Sequence, residues 1–138
     1  FRNDPFNIAK NDKMVSVNMA LQVDLTGQVC SESLGFRHYS GTGGAMDFAY
    51  GAYHSKGGKG IIALKSTAVN GTISRIQTGL TYGAAVSVPR NVVDYVVTEY
   101  VIAHPRGSTL RERAEKMIAI AHPAFRDQLR ADLKELKI

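Results

Sequence analysis

The stretch from residue 40 to residue 60 reads SGTGGAMDFAYGAYHSKGGKG, and it holds seven of the thirteen glycines of the chain. Ordering a glycine costs more backbone entropy than ordering any other residue, so glycines gathered this densely need a reason. Two explanations compete. Either the stretch is a flexible loop, or its backbone approaches something that a Cβ atom would block.

The letters AMDFAYGAYHS, residues 45–55, predict a short helix directly after the glycine turn SGTGG. Such a turn leaves free N–H groups at the positive end of the helix dipole, which suits a phosphate, a carboxylate or a developing oxyanion. Asp47 in the first turn favours the helix but opposes an anion. The spacing fits neither GxxxxGK[ST] nor a full GxGxxG, so a tight strand-to-helix turn is the competing interpretation.

The segment SKGGKG, residues 55–60, closes the same helix. Lys56 and Lys59 stand among glycines just before an apolar run, where they could hold a polyphosphate. The alternative is a helix C-cap whose lysines complement the dipole.

Period-two alternation over residues 15–25 predicts a half-buried strand, and Thr26-Gly27 predicts a turn into a returning partner at 28–31. The runs IIAL (61–64) and DYVVTEYVIA (94–103) predict a buried strand and a central strand, and 84–88 predicts a further strand. Thr109 and Glu112 form a capping box ahead of a helix that stops at His122, and Phe125, Leu129 and Leu133 mark a C-terminal helix. We therefore expect one α/β domain over residues 1–138, with an open mixed sheet and flanking helices.

Composition narrows the partners and the compartment. The net charge is +5 with a pI near 9.5, which suits an anionic partner such as nucleic acid or a phosphorylated cofactor. Cys30 is the only cysteine, so a reducing compartment is expected, and no apolar run is long enough to span a bilayer. Because the first residue is Phe1, we expect the chain to begin inside a longer protein.

Several separated segments resemble one family in the same order. The run GTGGAMDFAYGAYHSKGGKGIIAL resembles the C-terminal half of the acetyl-CoA hydrolase/transferase family, which includes 4-hydroxybutyrate, butyrate and succinate CoA-transferases. The segments VNMALQVDLTGQVCSES, SRIQTGLTYGAAVSVPRNVVDYVVTEY and RGSTLRERAEKMIAIAHPAFRDQL are similar to the family's flanking sections. The resemblance covers essentially the whole chain and implies the NagB/RpiA/CoA-transferase-like fold.

The resemblance implies transfer of coenzyme A between carboxylic acids through a glutamate nucleophile, which splits one hard exchange into easier steps. That glutamate lies upstream of the matched region in the family, so no residue of this chain corresponds to it. We expect acyl-CoA and a small carboxylate such as acetate as substrates and no tightly bound cofactor. The implied partners are the upstream half of the same protein and a second copy, in a homodimer or larger, without nucleic acid or membrane. The implied compartment is the cytoplasm, or the mitochondrion of a eukaryote.

The resemblance also assigns site residues. Gly44, the second glycine of the GG pair, matches a family glycine whose N–H serves the oxyanion, and Asn3 matches an asparagine whose amide points at the reacting carbonyl. The alternative for Asn3 is an Asx turn ahead of Pro5. Gly41, Thr42 and Gly43 would line the thioester channel, and Lys56 and Lys59 would meet the CoA phosphates.

The chain departs from the family pattern in two places. Ala45 stands where a glutamine or serine is common, and Val101 and Pro105 replace a glycine and a leucine, which puts CoA contacts and acyl specificity in doubt. Within the chain Glu99 is the best acidic candidate for a nucleophile, although a structural hydrogen-bonding role is the stronger interpretation. Cys30 is expected to be buried, and the four scattered histidines lack metal-ligand spacing. The rival function is a non-catalytic basic module that binds a nucleotide or nucleic acid.

Overall fold

The computed structural model describes all 138 residues, as four helices and eleven short strands. The helices are α1 (Pro5–Ala9), α2 (Ala45–His54), α3 (Leu110–Ile120) and α4 (Pro123–Glu135). The strands are β1 (Val15–Met19), β2 (Gln22–Asp24), β3 (Val29–Cys30), β4 (Ser33–Leu34), β5 (Arg37–His38), β6 (Lys59–Ala63), β7 (Thr67–Ala68), β8 (Ile73–Ser74), β9 (Ile76–Gln77), β10 (Tyr95–Val97) and β11 (Ile102–Ala103). No helix is both long and apolar enough to cross a bilayer.

The largest sheet is open and mixed, as predicted. Its strand order is β1-β6-β10-β11, with β1, β6 and β10 parallel and β11 antiparallel at one edge. A second sheet has the order β3-β2-β9, and two small hairpins, β4-β5 and β7-β8, lie beside it. Helix α2 comes directly before β6 and packs against β1 and β6. Since it runs antiparallel to these strands, its first turn lies toward their carboxyl ends, where open α/β sheets bind ligands.

Gly51 lets α2 pack closely on α1, whereas Gly60 has room for a side chain against α2. A Cβ added at Gly51 would lie 2.5 Å from Cγ2 of Ile8, so α1 rests directly on the α2 backbone. A Cβ at Gly60 would lie 3.6 Å from the carbonyl oxygen of Ala49, which is ordinary contact between β6 and α2. The dense glycines of this stretch are therefore partly a packing device.

The main core packs the last two helices against buried residues of both larger sheets. The almost fully buried side chains include Val23 and Ile76 of the second sheet, Leu25 just after β2, and Met117 and Ile118 of α3. Leu129 and Leu133 of α4 belong to the same cluster. Burial of this apolar surface is the main favourable term that holds the helices against the sheet.

The single strand predicted over residues 15–25 is wrong. The chain leaves β1 after Met19 and enters β2 at Gln22, in a different sheet. The side chains of Val15 and Val17 are exposed, whereas those of Val23 and Leu25 are buried. Alternation of apolar residues cannot show such a change of sheet, because it continues in phase across the bend. The predicted return strand is confirmed: β2 and β3 pair around Gly27, whose φ is +92°.

Two other strand predictions need correction. Residues 94–103 form a hairpin of β10 and β11, because Thr98–Val101 turn the chain back at the edge of the sheet. Residues 84–88 are not a strand, and only Val88 makes a bridge, to Val29. Pro89 cannot donate to a ladder, which limits pairing there.

The last two helices were predicted more accurately from the sequence than the strands were. Both hydrogen bonds of the capping box between Thr109 and Glu112 are present at α3. That helix ends at Ile120, and His122 becomes the N-cap of α4 by accepting from the N–H of Ala124. Helix α1 was missed, although Asp4 caps it and Pro5 opens it, because five residues are too short for a periodic signal.

Candidate functional site

Gly44 is the N-cap of α2, with φ −83° and ψ 5°. Its carbonyl accepts the first helical bond, from Phe48. No side chain caps this end, and no protein acceptor takes a hydrogen bond from the N–H groups of residues 44–47. The turn therefore ends in a set of free main-chain donors, which favour negative charge.

Asn3 lies against this helix end. A Cβ atom built on Gly44 would be 2.9 Å from Nδ2 of Asn3 and 3.3 Å from the nearest ring carbon of Phe48. Only glycine leaves room here for the Asn3 amide. The side chain of Asn3 has no hydrogen-bond partner, and Asp4, not Asn3, makes the turn that precedes α1. The structure thus brings together the two residues that the resemblance names as donors; their catalytic role stays a prediction.

Phe48 lies between this pair and two surface cavities. One, of about 350 Å³, is lined by Phe1, Arg2 and part of α1. The other, of about 300 Å³, runs along β1. The aromatic ring gives the donors an apolar wall, which would strengthen their interaction with a charge once water is excluded.

Gly41, Thr42 and Gly43 are exposed, and a Cβ at Gly41 or Gly43 would meet no atom within 4 Å. No other part of residues 1–138 packs against these two glycines, and the role of residues 41–43 in lining a ligand channel stays a prediction. Ala45 follows as the first residue of α2.

The two lysines lie at the opposite end of the helix. Lys56 follows the C-terminus of α2 and Lys59 begins β6, and both are exposed. A ten-residue helix is about 15 Å long, so the lysines and Gly44 do not form one compact site. Only an extended molecule could reach both ends, and contact with CoA phosphates stays a prediction.

Glu99 is engaged in a structural bond. Its carboxylate accepts from the N–H of Ser66 at 2.9 Å and from the hydroxyl of the same serine. Partial burial raises the pKa of Glu99, but the hydrogen bonds from Ser66 outweigh this and hold the pKa below its ordinary value. A carboxylate that ties the segment after β6 to the segment after β10 fits the structural interpretation.

A cluster of polar and aromatic side chains that was not predicted from the sequence lies at the other end of the sheet. The carboxylate of Asp94, almost fully buried, lies 2.9 Å from Nε2 of His104 and 3.9 Å from Nη1 of Arg106. The His104 ring stacks on Tyr95 at 4.2 Å, and the guanidinium of Arg106 lies 3.3 Å from the ring centre of Tyr53. The cluster ties the segment after β11 to α2. Its residues come from three separate segments, at 53, at 94–95 and at 104–106, so no single motif reveals them.

The remaining candidates from the sequence are Cys30, the two departures at Val101 and Pro105, and a metal site. Cys30 is fully buried, as predicted, with its thiol 3.2 Å from the carbonyl of Ser33. Val101 is in the exposed turn between β10 and β11, whereas Pro105 is buried. No three His, Cys, Asp or Glu side chains lie close enough together to hold a metal ion.

The fold is that of an α/β domain of the CoA-transferase type, since it superposes on a solved CoA-transferase. The sequence model of the acetyl-CoA hydrolase/transferase C-terminal domain matches residues 1–133, and this chain belongs to that family. The predicted family and fold are thereby confirmed.

Individual relatives agree. The chain is 58% identical over 133 residues to the 4-hydroxybutyrate coenzyme A transferase of Clostridium kluyveri, covering 96% of this chain and 31% of that protein. It is 58% identical over 127 residues to the succinyl-CoA:cyclohexane-1-carboxylate CoA transferase of Geobacter metallireducens, covering 92% and 29%. The crystal structure of a 4-hydroxybutyrate CoA-transferase from Porphyromonas gingivalis superposes with a TM-score of 0.79 at 47% identity, covering 96% of this chain and 29% of that one. The chain thus spans about 30% of the length of these relatives.

Proposed function

We propose that this chain is the C-terminal part of an enzyme that transfers coenzyme A from an acyl-CoA to a carboxylic acid, or that hydrolyses the acyl-CoA to the free acid and CoA. The observation that carries the proposal is the Asn3 amide lying beside Gly44 at the unpartnered N-terminus of α2. Family membership supports this function over the rival basic binding module.

The chemistry divides between two parts of the polypeptide. A glutamate carboxylate, supplied from outside residues 1–138, attacks the thioester carbon, the C–S bond breaks, and an acyl-glutamyl anhydride and CoA thiolate result. The thiolate then attacks the glutamyl carbonyl and releases the first acid, which leaves a glutamyl-CoA thioester. A second carboxylate takes the CoA in the reverse of these steps, whereas attack by water gives hydrolysis.

Each attack places negative charge on a carbonyl oxygen, and this chain supplies the donors for it. The Nδ2 amide of Asn3 lies beside the backbone of Gly44, and in this proposal it and the N–H of Gly44 both donate to that oxygen. Preorganised donors of this kind stabilise an oxyanion more than they stabilise the ground-state carbonyl. Removal of one donor typically lowers kcat about 100- to 1,000-fold.

The other assignments complete the proposal. Gly41, Thr42 and Gly43 border the path of the thioester arm, and Lys56 and Lys59 attract the phosphates of an extended CoA, which binds as a substrate. The two relatives that are 58% identical to this chain are named for different acids, so overall sequence identity does not show which acyl group is carried. We propose a small carboxylate such as acetate as a substrate. We further propose a homodimer or larger assembly in the cytoplasm, or in the mitochondrion of a eukaryote.

Asn3→Ala in the full polypeptide tests the proposal. Formation of acetyl-CoA from butyryl-CoA and labelled acetate is followed by liquid chromatography, and kcat should fall by roughly 100-fold or more. Asn91→Ala is the matched control, because Asn91 is also exposed and lies outside the site, and it should keep the full rate. An unchanged rate for Asn3→Ala, with both variants folded, would contradict the role of the amide.

A further inference from the structure

Strand β1 has one open edge. It pairs only with β6 and ends the sheet. The bonds from Lys59 N–H to Met14 O and from Ala20 N–H to Ala63 O show that even-numbered residues face β6. Main-chain groups alternate between the two edges of a strand, so those of Val15, Val17 and Met19 point outward, and none of them has a partner.

The side chains of the same three residues form an exposed apolar row. Val15, Val17 and Met19 are 52%, 62% and 67% exposed. The register places Val17 beside Ile61, and Ile61 beside Tyr95, so the row continues across a half-buried sheet face. Natural proteins rarely leave an apolar edge strand uncovered, because it invites pairing with other chains.

The opposite face of β1 points to the same conclusion. Ser16 is buried and its hydroxyl has no hydrogen-bond partner, and the same is true of the Nδ2 atom of Asn18. Buried polar groups without partners are costly and uncommon in complete structures. Both residues, with Phe48, line the groove of about 300 Å³ along the edge.

We propose that a β-strand from the part of the same polypeptide outside residues 1–138 adds to the open edge of β1. The relatives that this chain matches carry about two thirds of their length outside the matched region, so one polypeptide can supply the strand. The added strand carries apolar side chains over Val15, Val17 and Met19 and polar groups toward Ser16 and Asn18. Since Phe48 lies against both the groove and Gly44, the strand also brings the rest of the polypeptide beside the candidate site. The inference does not depend on the chemistry assigned to Gly44.

Residue-resolved amide hydrogen exchange of the full polypeptide tests the pairing. The amides of Val15, Val17 and Met19 should be protected by roughly 100-fold or more, as expected for hydrogen-bonded strand amides. Fast exchange at these three amides, next to protected amides at Ser16 and Asn18, would overturn the proposal.

A photo-crosslinking residue at Val17 identifies the occupant, in a mixture of unlabelled and ¹⁵N-labelled protein. The expected crosslink joins Val17 to a segment outside residues 1–138 within one chain. A crosslink to residues 14–19 of a second copy would overturn the proposal in favour of strand pairing between copies.

Val17→Lys adds a stability readout. The variant should lower the Tm of the full polypeptide by roughly 4 °C or more, because it buries a charged side chain under the added strand. Val69→Lys is the matched control, because Val69 is 65% exposed in a hairpin tip, and its Tm should stay within about 2 °C. Equal shifts for the two variants would show that β1 is an ordinary exposed edge.

Discussion

Gly44→Ala should reduce the rate of the full polypeptide while leaving its fold intact. The new Cβ would lie 2.9 Å from Nδ2 of Asn3, and ordinary contact begins near 3.4 Å, so the amide must move by about 0.5 Å. The end of an exposed side chain can yield in this way at little cost. The N–H of residue 44 remains, so the variant displaces one donor without deleting the other.

The magnitude follows from the displacement. Because a misplacement of about 1 Å can cost about 100-fold in rate, a shift of half that size should lower kcat roughly tenfold, or about 1.4 kcal/mol. Stability should change little, since φ of −83° suits alanine and a glycine-to-alanine change restricts the unfolded chain by about 0.4–1 kcal/mol.

A double-mutant cycle makes the test sharp. If Gly44→Ala acts by moving Asn3, then adding it to Asn3→Ala should cause little further loss of kcat. Acetyl-CoA formation by the wild type, the two single variants and the double variant gives the coupling directly. Gly79→Ala is the control, because Gly79 has an ordinary φ and open space around its Cβ position. Full activity of Gly44→Ala, or strict additivity in the cycle, would refute the reasoning.

Three further variants test the fold. Gly51→Ala should lower the free energy of unfolding by about 1–3 kcal/mol in urea titrations, because its Cβ would overlap Ile8, and an unaffected midpoint would argue against tight packing of α1 on α2. Ser66→Ala should lower the free energy of unfolding by about 1 kcal/mol at pH 7, a figure that is kept small because Glu99 is largely exposed. The hydrogen bonds that lower the pKa of Glu99 stabilise the fold only while Glu99 is ionised, so the loss should shrink as the pH falls below about 4.5. A loss that does not depend on pH would contradict the bond. Thr109→Ala should remove about 1 kcal/mol through loss of the α3 cap, measured by thermal unfolding, with Thr109→Ser restoring most of it; no loss on truncation to alanine would mean that the cap contributes nothing.

The sequence correctly predicted those parts of the fold that depend on residues close together in the chain. The capping box at Thr109, the turn at Gly27 and the helix after Gly44 all appear where the sequence placed them. Each depends on hydrogen bonds or backbone angles within a few residues. The continuous strand over residues 15–25 failed, because alternation sets which side chains share a face but not which sheet a segment joins.

The same distinction between local sequence and tertiary packing applies to the candidate site. The sequence by itself determined the glycine turn, the free helix end and, through family resemblance, the choice of Asn3 and Gly44. Only the tertiary structure decided that these two residues, about forty positions apart, lie side by side, that Lys56 and Lys59 lie at the far end of α2, and that the edge of β1 is open. Local chemistry is written within a few neighbouring residues, whereas long-range proximity depends on how helices and strands pack to bury apolar surface.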